Sequence, residues 1–378
     1  MKQVYAIASD IISPMGFGVE EHWQAMLNKE LGIKEHHDDS FSAGSFWGSR
    51  FDTQQRNRIE TATNNFSEIS FFEQLVILSA QRATQDNEEL LTSEDTLFVL
   101  STTKGNIDWL EQKDDSRTLF SASTDVISKI LGLKNKPVVI SHACISGAVA
   151  QMYALRAIQN GRYKHAVIVG CDVFSKFVLN GFQSFQAVAE APCKPFDANR
   201  KGINLGEAAA TVVLSAEAVD KPIAILVSGA TSNDANHISG PSRTGEELAM
   251  AIKRTLDAGS VSGAEVNMIS AHGTATPYND EMEAKAFGLS DVDKAAVHSF
   301  KGYTGHTLGA AGVLECAMLL KAIQEQTLIP SAGFEQIGVP VDLQVTTAPT
   351  KATINHVLKT ASGFGGCNAA LLWSKVDA

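Results

Sequence analysis

Chemistry-bearing side chains recur at four places along the chain. The first is Cys144, within residues 138–147 (VVISHACISG). Val138, Val139 and Ile140 form a short apolar run that predicts a buried strand, and the residues from Ala148 onward resume with apolar positions at helical spacing. Cys144 falls at the sharp turn between them. A side chain on such an elbow is held away from the backbone, and the amides and positive dipole end of the following helix favour a thiolate. Ser141, Ala143, Ser146 and Gly147 are small, which leaves room for a substrate to approach. An isolated cysteine is ordinarily a small buried hydrophobe; imidazoles further along make this one a candidate nucleophile.

The second place is residues 270–283 (SAHGTATPYNDEME), where His272 follows an apolar strand and Gly273, Thr274 and Thr276 follow it. Open α/β sheets put their ligands at such strand ends. Pro277 and Asn279-Asp280 fit a turn into a helix, with Glu281 and Glu283 in its first turn, where the dipole favours acids; Glu283 reads equally well as only that. The third is residues 299–312 (SFKGYTGHTLGAAG), with Lys301 and His306 as the useful groups and Gly309 to Gly312 small enough to let a helix pack closely. The fourth, residues 362–368 (SGFGGCN), is a glycine-rich loop able to aim an N–H at a developing oxyanion. Taken singly, a structural turn, an exposed lysine and a backbone-satisfied histidine explain these motifs. One thiol and two imidazoles on strand-end loops together make a nucleophile with proton-exchange partners.

The elements that must position them follow a β-then-α rhythm. Strands are expected near residues 4–8, 96–100, 138–140, 165–170, 208–215, 222–229, 267–271 and 368–373, with helices near 19–27, 71–82, 246–256 and 310–324. Residues 35–65 are polar and Gly/Ser-rich without a period, which predicts a surface excursion. Two successive series of similar size suggest a duplicated α/β architecture, with residues 1–218 carrying the cysteine and 219–378 carrying the two histidines. The 378 residues suffice for two such halves, and a hydrophobic content of 44% supports a large core. Lysine and arginine number 31 against 42 acids, a net charge of −11 that argues against nucleic-acid binding. The five cysteines (144, 171, 193, 316 and 367) are odd in number and form no Cys-x-x-Cys pair, so neither a disulfide framework nor a metal site is expected. No signal peptide or apolar stretch of bilayer length is visible, and a cytoplasmic protein is expected.

In this order the four motifs resemble those of the β-ketoacyl-acyl-carrier-protein synthases of the thiolase superfamily. The resemblance runs from the Ile-Ser-Pro-Met-Gly turn at the N-terminus, through Pro195-Phe-Asp-Ala-Asn-Arg and Gly206-Glu207, to Gly363-Phe-Gly-Gly. His306 in the third position marks the elongating, Cys-His-His type. The resemblance implies a five-layered αβαβα thiolase-like fold and decarboxylative Claisen condensation of malonyl-acyl-carrier protein with an acyl chain held on Cys144. It implies neutral His272 and His306 donating to the malonyl thioester, and an oxyanion hole from the Cys144 and Phe364 amides. It further implies Lys301 and Glu283 positioning the histidines, Thr274 and Thr276 in support, and Phe364 as a gate. No cofactor is implied. The implied partners are acyl carrier protein and a second ketosynthase-like subunit, identical or related. A catalytically silent chain-length-factor-like subunit and a thiolase are the alternatives; the latter would need a second catalytic cysteine, for which Cys367 is the candidate. Ile145 and the run Gly206-Glu-Ala depart from the family pattern. So does Lys104, a charge where the family places a small or apolar residue near the acyl pocket and dimer seam. Lys104 is expected either to limit or select the acyl chain, or to pair with an acid across the seam.

Overall fold

The runs richest in β-branched residues and alanine become the strands of one large mixed sheet. The computed structural model describes residues 2–42, 44–63, 69–112, 115–235 and 240–376. Its principal strands are β1 (Tyr5–Ser13), β2 (Thr96–Ser101), β3 (Val138–Ile140), β4 (His165–Asp172), β5 (Ala208–Ser215), β6 (Ala224–Asn233), β7 (Val266–Ser270), β8 (Ala296–His298), β9 (His356–Gly363) and β10 (Cys367–Ser374). Their spatial order is β8-β7-β9-β10-β6-β1-β5-β4-β2-β3. Read inward from either end, the same pattern appears. β3-β2-β4 and β8-β7-β9 pair in parallel, then β4-β5-β1 and β9-β10-β6 pair antiparallel. The two series meet where Tyr5 and Ala6 of β1 pair with Ile225 and Ala224 of β6.

The six longest helices among the described residues cover and fill this sheet: α1 (Phe71–Ala83), α2 (Phe120–Leu131), α3 (Ser146–Gln159), α4 (Glu246–Gly259), α5 (Pro277–Leu289) and α6 (Ala311–Glu325). Alternation along the strands shows why both faces need covering. Leu97 and Val99 of β2 face a central core with Met152 of α3 and Val313 of α6, whereas Phe98 and Leu100 face an outer core with Leu75 of α1 and Ile127 of α2. In the second series Met268 of β7 faces the central core, and Ile269 faces Ile252 of α4 and Phe287 of α5. The result is the five-layered αβαβα arrangement anticipated from the sequence, with α3 and α6 as the middle layer.

The two middle helices touch backbone to backbone at their first turns. A Cβ on Gly312 would lie 2.6 Å from the Ala148 amide nitrogen, and one on Gly147 would lie 2.8 Å from that of Val313. Gln151 Nε2 bridges the crossing by donating to the carbonyls of Gly147 (2.9 Å) and Gly312 (3.0 Å). The loops entering these helices, which carry Cys144 and His306, are thereby brought to one point.

Two expectations need correction. β3 is not fully covered: it is the outermost strand of its series and its three residues are half-buried. Residues 35–65 are not merely a surface excursion. Phe46, Phe51 and Ile59 are buried there, because Phe46–Ser49 pairs with Leu205–Gly206 and the buried Glu207 carboxylate accepts the Phe51 amide; residues 43, 64 and 65 lie outside the described residues. β8, β9 and α2 were not anticipated from the sequence. Among the described residues, no helix is long and apolar enough to cross a membrane.

Candidate active site

The elbow is held by short bonds around a strained residue. Ala143 has a φ of 46°, a left-handed conformation that costs a residue with a Cβ roughly 1–3 kcal/mol. Ser146 secures it: its Oγ accepts from the His142 amide (2.8 Å) and donates to the Ala143 carbonyl (2.6 Å). The next residue, Cys144, is buried at the wall of a cavity of about 530 Å³ shared with His272, His306 and Phe364. Burial pushes its thiol up to about 11, although Lys301, Lys104 and the amide of Phe364 all favour the anion. The expected resting thiolate is therefore corrected. A helix end contributes about 0.3–1 kcal/mol at exposed sites, less than the loss of hydration removes.

Two loops at the ends of parallel strands bring the imidazoles in. His272 follows β7, and His306 lies beyond the short helix Lys301–Thr304 that follows β8. The rings meet edge to face with centroids 5.2 Å apart, and one nitrogen of each ring and Cys144 Sγ lie within 4.8 Å of one another. The His306 backbone is pinned to the strand Leu205–Gly206, its N–H donating to Asn204 O (2.7 Å) and its carbonyl accepting from Gly206 (3.0 Å). Its Nδ1 accepts the Leu308 amide at 3.3 Å, which leaves the proton on Nε2; Nε2 is buried, without a protein partner, and on the ring that lines the cavity. Both rings are held neutral, well below the usual histidine range, by burial first and then by neighbouring Lys301 and Lys359.

Glu283 is not a first-turn capping charge. It lies in the second turn of α5, fully buried, and its carboxylate accepts the amides of His272 (2.8 Å) and Gly273 (2.6 Å), Thr360 Oγ1 (2.8 Å) and Asn279 Nδ2 (3.1 Å). It thus fixes the backbone of the His272 loop. That loop turns through Gly273 at φ 46°, where a Cβ would meet the Ser299 side chain at 2.4 Å, so only glycine fits. Lys301 Nζ donates to the His272 carbonyl (2.6 Å) and to Glu315 Oε1 (2.7 Å). Two buried charges here were not singled out in the sequence, Glu315 on α6 and Lys359 on β9, which form a second ion pair. Their signal is a lone charge inside stretches with no other Asp, Glu, Lys or Arg, AGVLECAMLL and HVLKTASG.

The remaining candidates surround the mouth. Phe364 is 38% exposed and packs against Phe182 (5.6 Å) and Phe185 (5.4 Å), while its backbone favours the anionic form of Cys144. Thr274 and Thr276 line the cavity and share a 2.8 Å hydroxyl bond. Lys104 does not line this cavity. It is half-buried beside it, with Nζ on Thr103 Oγ1 at 3.2 Å, and its charge bears on Cys144, Asp172 and His306. Cys367 lies behind the elbow, its Sγ 3.4 Å from the Phe364 carbonyl, and is not among the cavity residues.

Fold and site together define an acyltransferase of the thiolase-like class, with one thiol and two neutral imidazoles at the meeting point of a duplicated sheet. Residues 100–219 match the family described as "Beta-ketoacyl synthase, N-terminal domain" and residues 223–335 match "Beta-ketoacyl synthase, C-terminal domain". The chain belongs to the β-ketoacyl synthase family. It is 28% identical to 3-oxoacyl-[acyl-carrier-protein] synthase 2 of Vibrio harveyi and 27% identical to the protein of that name from Coxiella burnetii, each over 99% of both chains. The solved structure titled "The ishigamide ketosynthase/chain length factor" has the same fold, with a TM-score of 0.88 at 24% identity over 99% of both chains. A type II polyketide synthase ketosynthase with its acyl-carrier protein, AntDE:AntF, gives 0.85 at 21% identity over 99% of both chains.

Proposed function

We propose that the chain catalyses elongation by decarboxylative Claisen condensation, with Cys144, His272 and His306 in distinct roles. Cys144 attacks an acyl thioester; its proton passes by way of an imidazole to the departing carrier thiol, and the acyl group remains on sulfur. Malonyl-carrier protein then enters, the bond to its carboxylate breaks with release of carbon dioxide, and the electron pair is left as an enolate on the thioester. His272 and His306, both neutral, donate to that oxygen as charge develops. The enolate carbon attacks the acyl-enzyme carbonyl, whose oxyanion is met by the amides of Cys144 and Phe364, and the carbon–sulfur bond breaks to release the β-ketoacyl product and the Cys144 thiolate, which takes up a proton from solvent to restore the thiol. The observation that carries this reading is the His306 ring: its Nδ1 accepts a backbone amide, so its unpartnered Nε2–H is the donor available at the cavity. Glu283 and Lys301 position the loops, Thr274 and Thr276 support the pocket, and Phe364 with its aromatic neighbours gates the two half-reactions.

The same reading takes acyl carrier protein, acyl- and malonyl-loaded, as the partner, and a second ketosynthase-like subunit to complete a dimer. It assigns residues 1–218 and 219–378 to two halves, a division supported by the repeated strand order, and places the protein in the cytoplasm. Lys104, which stands beside the cavity and not in its lining, is proposed either to limit or select the acyl chain or to pair with an acid across the dimer seam. A silent chain-length-factor role is disfavoured by the assembled thiol and imidazoles, and a thiolase role by a Cys367 that stays out of the cavity. Intact-mass analysis after incubation with a panel of acyl-carrier proteins tests the proposal. A Cys144-dependent acyl adduct that malonyl-carrier protein discharges is expected; no adduct on any acyl chain overturns it.

A further inference from the structure

β9 carries a lysine at a position facing the middle layer. Lys359 is fully buried, and its neighbours two places away on the strand, Val357 and Ala361, belong to the central core. It is in register with Ser270 of β7, which is in register with His298 of β8, so three polar side chains stand side by side on one face. Lys359 Nζ donates to the carbonyls of Ser270 (3.2 Å), Ala271 (3.4 Å) and Thr360 (2.6 Å) and pairs with Glu315 Oε2. Lys301 takes the other carboxylate oxygen and the His272 carbonyl. The three consecutive carbonyls at 270, 271 and 272 are thus each held by one ammonium or the other. A single lysine would balance Glu315; here there are two.

We infer that Lys359 is a positioning residue for the condensation half-reaction, bracing the chain that leads into His272 and adding a second positive charge beneath the imidazole pair where enolate charge develops. This rests on the histidine roles proposed above. The charged groups around the two rings are Lys301 after β8, Lys359 on β9, Lys104 after β2, Glu315 on α6, Glu283 on α5 and Asp172 on β4, with Cys144 as the neighbouring thiol. Each ammonium disfavours an imidazolium, in line with the depressed range of both histidines. Loss of the Lys359 charge therefore lets the imidazoles protonate at higher pH, where they lose the neutral form.

The test is Lys359→Met beside Lys359→Arg, read by separate half-reaction assays and by NMR titration of ¹⁵N-histidine in the full chain. In the Met variant, acyl transfer to Cys144 stays within about twofold, malonyl decarboxylation falls about tenfold or more, and the His272 and His306 titrations move up by about half a pH unit or more. The Arg variant restores most of the decarboxylation rate. An equal fall in both half-reactions with unmoved imidazole titrations overturns the inference and leaves Lys359 a packing residue. Should the Met variant not fold, Lys359→Gln carries the test, since it keeps a polar donor for the strand-end carbonyls while removing the charge, and it must raise the imidazole titrations; unmoved or lowered values overturn the inference. If the wild-type chain does not decarboxylate malonyl-carrier protein, it is the proposed function that fails, while the titration arm still reads Lys359.

Discussion

The thiol and the imidazoles divide one reaction between them, so their loss should separate the half-reactions. Cys144→Ala should lower condensation by roughly 10³-fold or more while malonyl decarboxylation persists. His272→Ala or His306→Ala should lower decarboxylation by about 10²–10³-fold, the usual effect of removing a donor aimed at developing charge, with a smaller effect on acyl transfer. Product analysis with radiolabelled malonyl-carrier protein separates these outcomes, and an equal loss of both steps in each variant would count against the assignment. Since burial raises the Cys144 thiol to about 11, its iodoacetamide reactivity should climb through pH 7–9 without a plateau. A plateau near neutrality would restore the thiolate that the elbow sequence suggested. These three side chains were legible because each stands in a short motif at a strand end. The resting state of the thiol was not, because the residues that bury it come from both halves. Glu315 and Lys359 were visible as isolated charges in otherwise uncharged stretches, yet nothing in either stretch says that they meet.

At the level of elements, the site depends on how closely α3 and α6 cross. Gly312→Ala would drive a methyl group to 2.6 Å from the Ala148 amide nitrogen, and neither backbone can retreat without shifting a loop that carries Cys144 or His306. Overpacking of this kind costs about 1–3 kcal/mol. The urea midpoint should fall with little change in m, and Cys144 acylation should slow along with it. Unchanged stability would mean that the crossing is looser than the contact distance implies. The helix Val19–Leu27 and β5 were readable to the residue, the helix from its amphipathic spacing and β5 from its uninterrupted buried run. β3 was misread as covered because a run of three apolar residues says nothing about which neighbours it acquires. β8 (AVH) is too short to show a period, and α2 begins without a side-chain cap to announce it. The aromatic residues of 46–62 gave no period either. They are fixed by partners distant in sequence, above all by Glu207, which also accepts from Arg56 (3.0 Å) and the Phe174 amide (2.9 Å).

For the molecule as a whole, the repeated strand order explains why one half supplies the nucleophile and the other the imidazoles: parallel strand ends from two like units are turned toward each other across a shared helical layer. The mouth of the site lies over that junction, and the proposed carrier protein must reach it across a chain of net charge −11. Carrier proteins are expected to be acidic, so docking needs a local positive group against an unfavourable long-range field. Arg200 and Lys201 both stand near the mouth in sequence, but only one is free to serve. The Arg200 guanidinium donates to the carbonyls of Asp197 (3.0 Å), Gly338 (2.6 Å) and Pro277 (3.2 Å), which commits it to holding loops together. Lys201 is exposed and lines the cavity mouth beside the exposed rings of Tyr278 and Phe185. Lys201→Glu should therefore weaken carrier binding mainly through the association rate, and raising salt from about 50 to 300 mM should weaken wild-type binding more than that of the variant, as the Debye length shortens toward about 5 Å. Stopped-flow association at the two salt concentrations measures both effects. A salt-independent wild-type rate, or a Lys201→Glu rate equal to it, would move the docking site away from this rim.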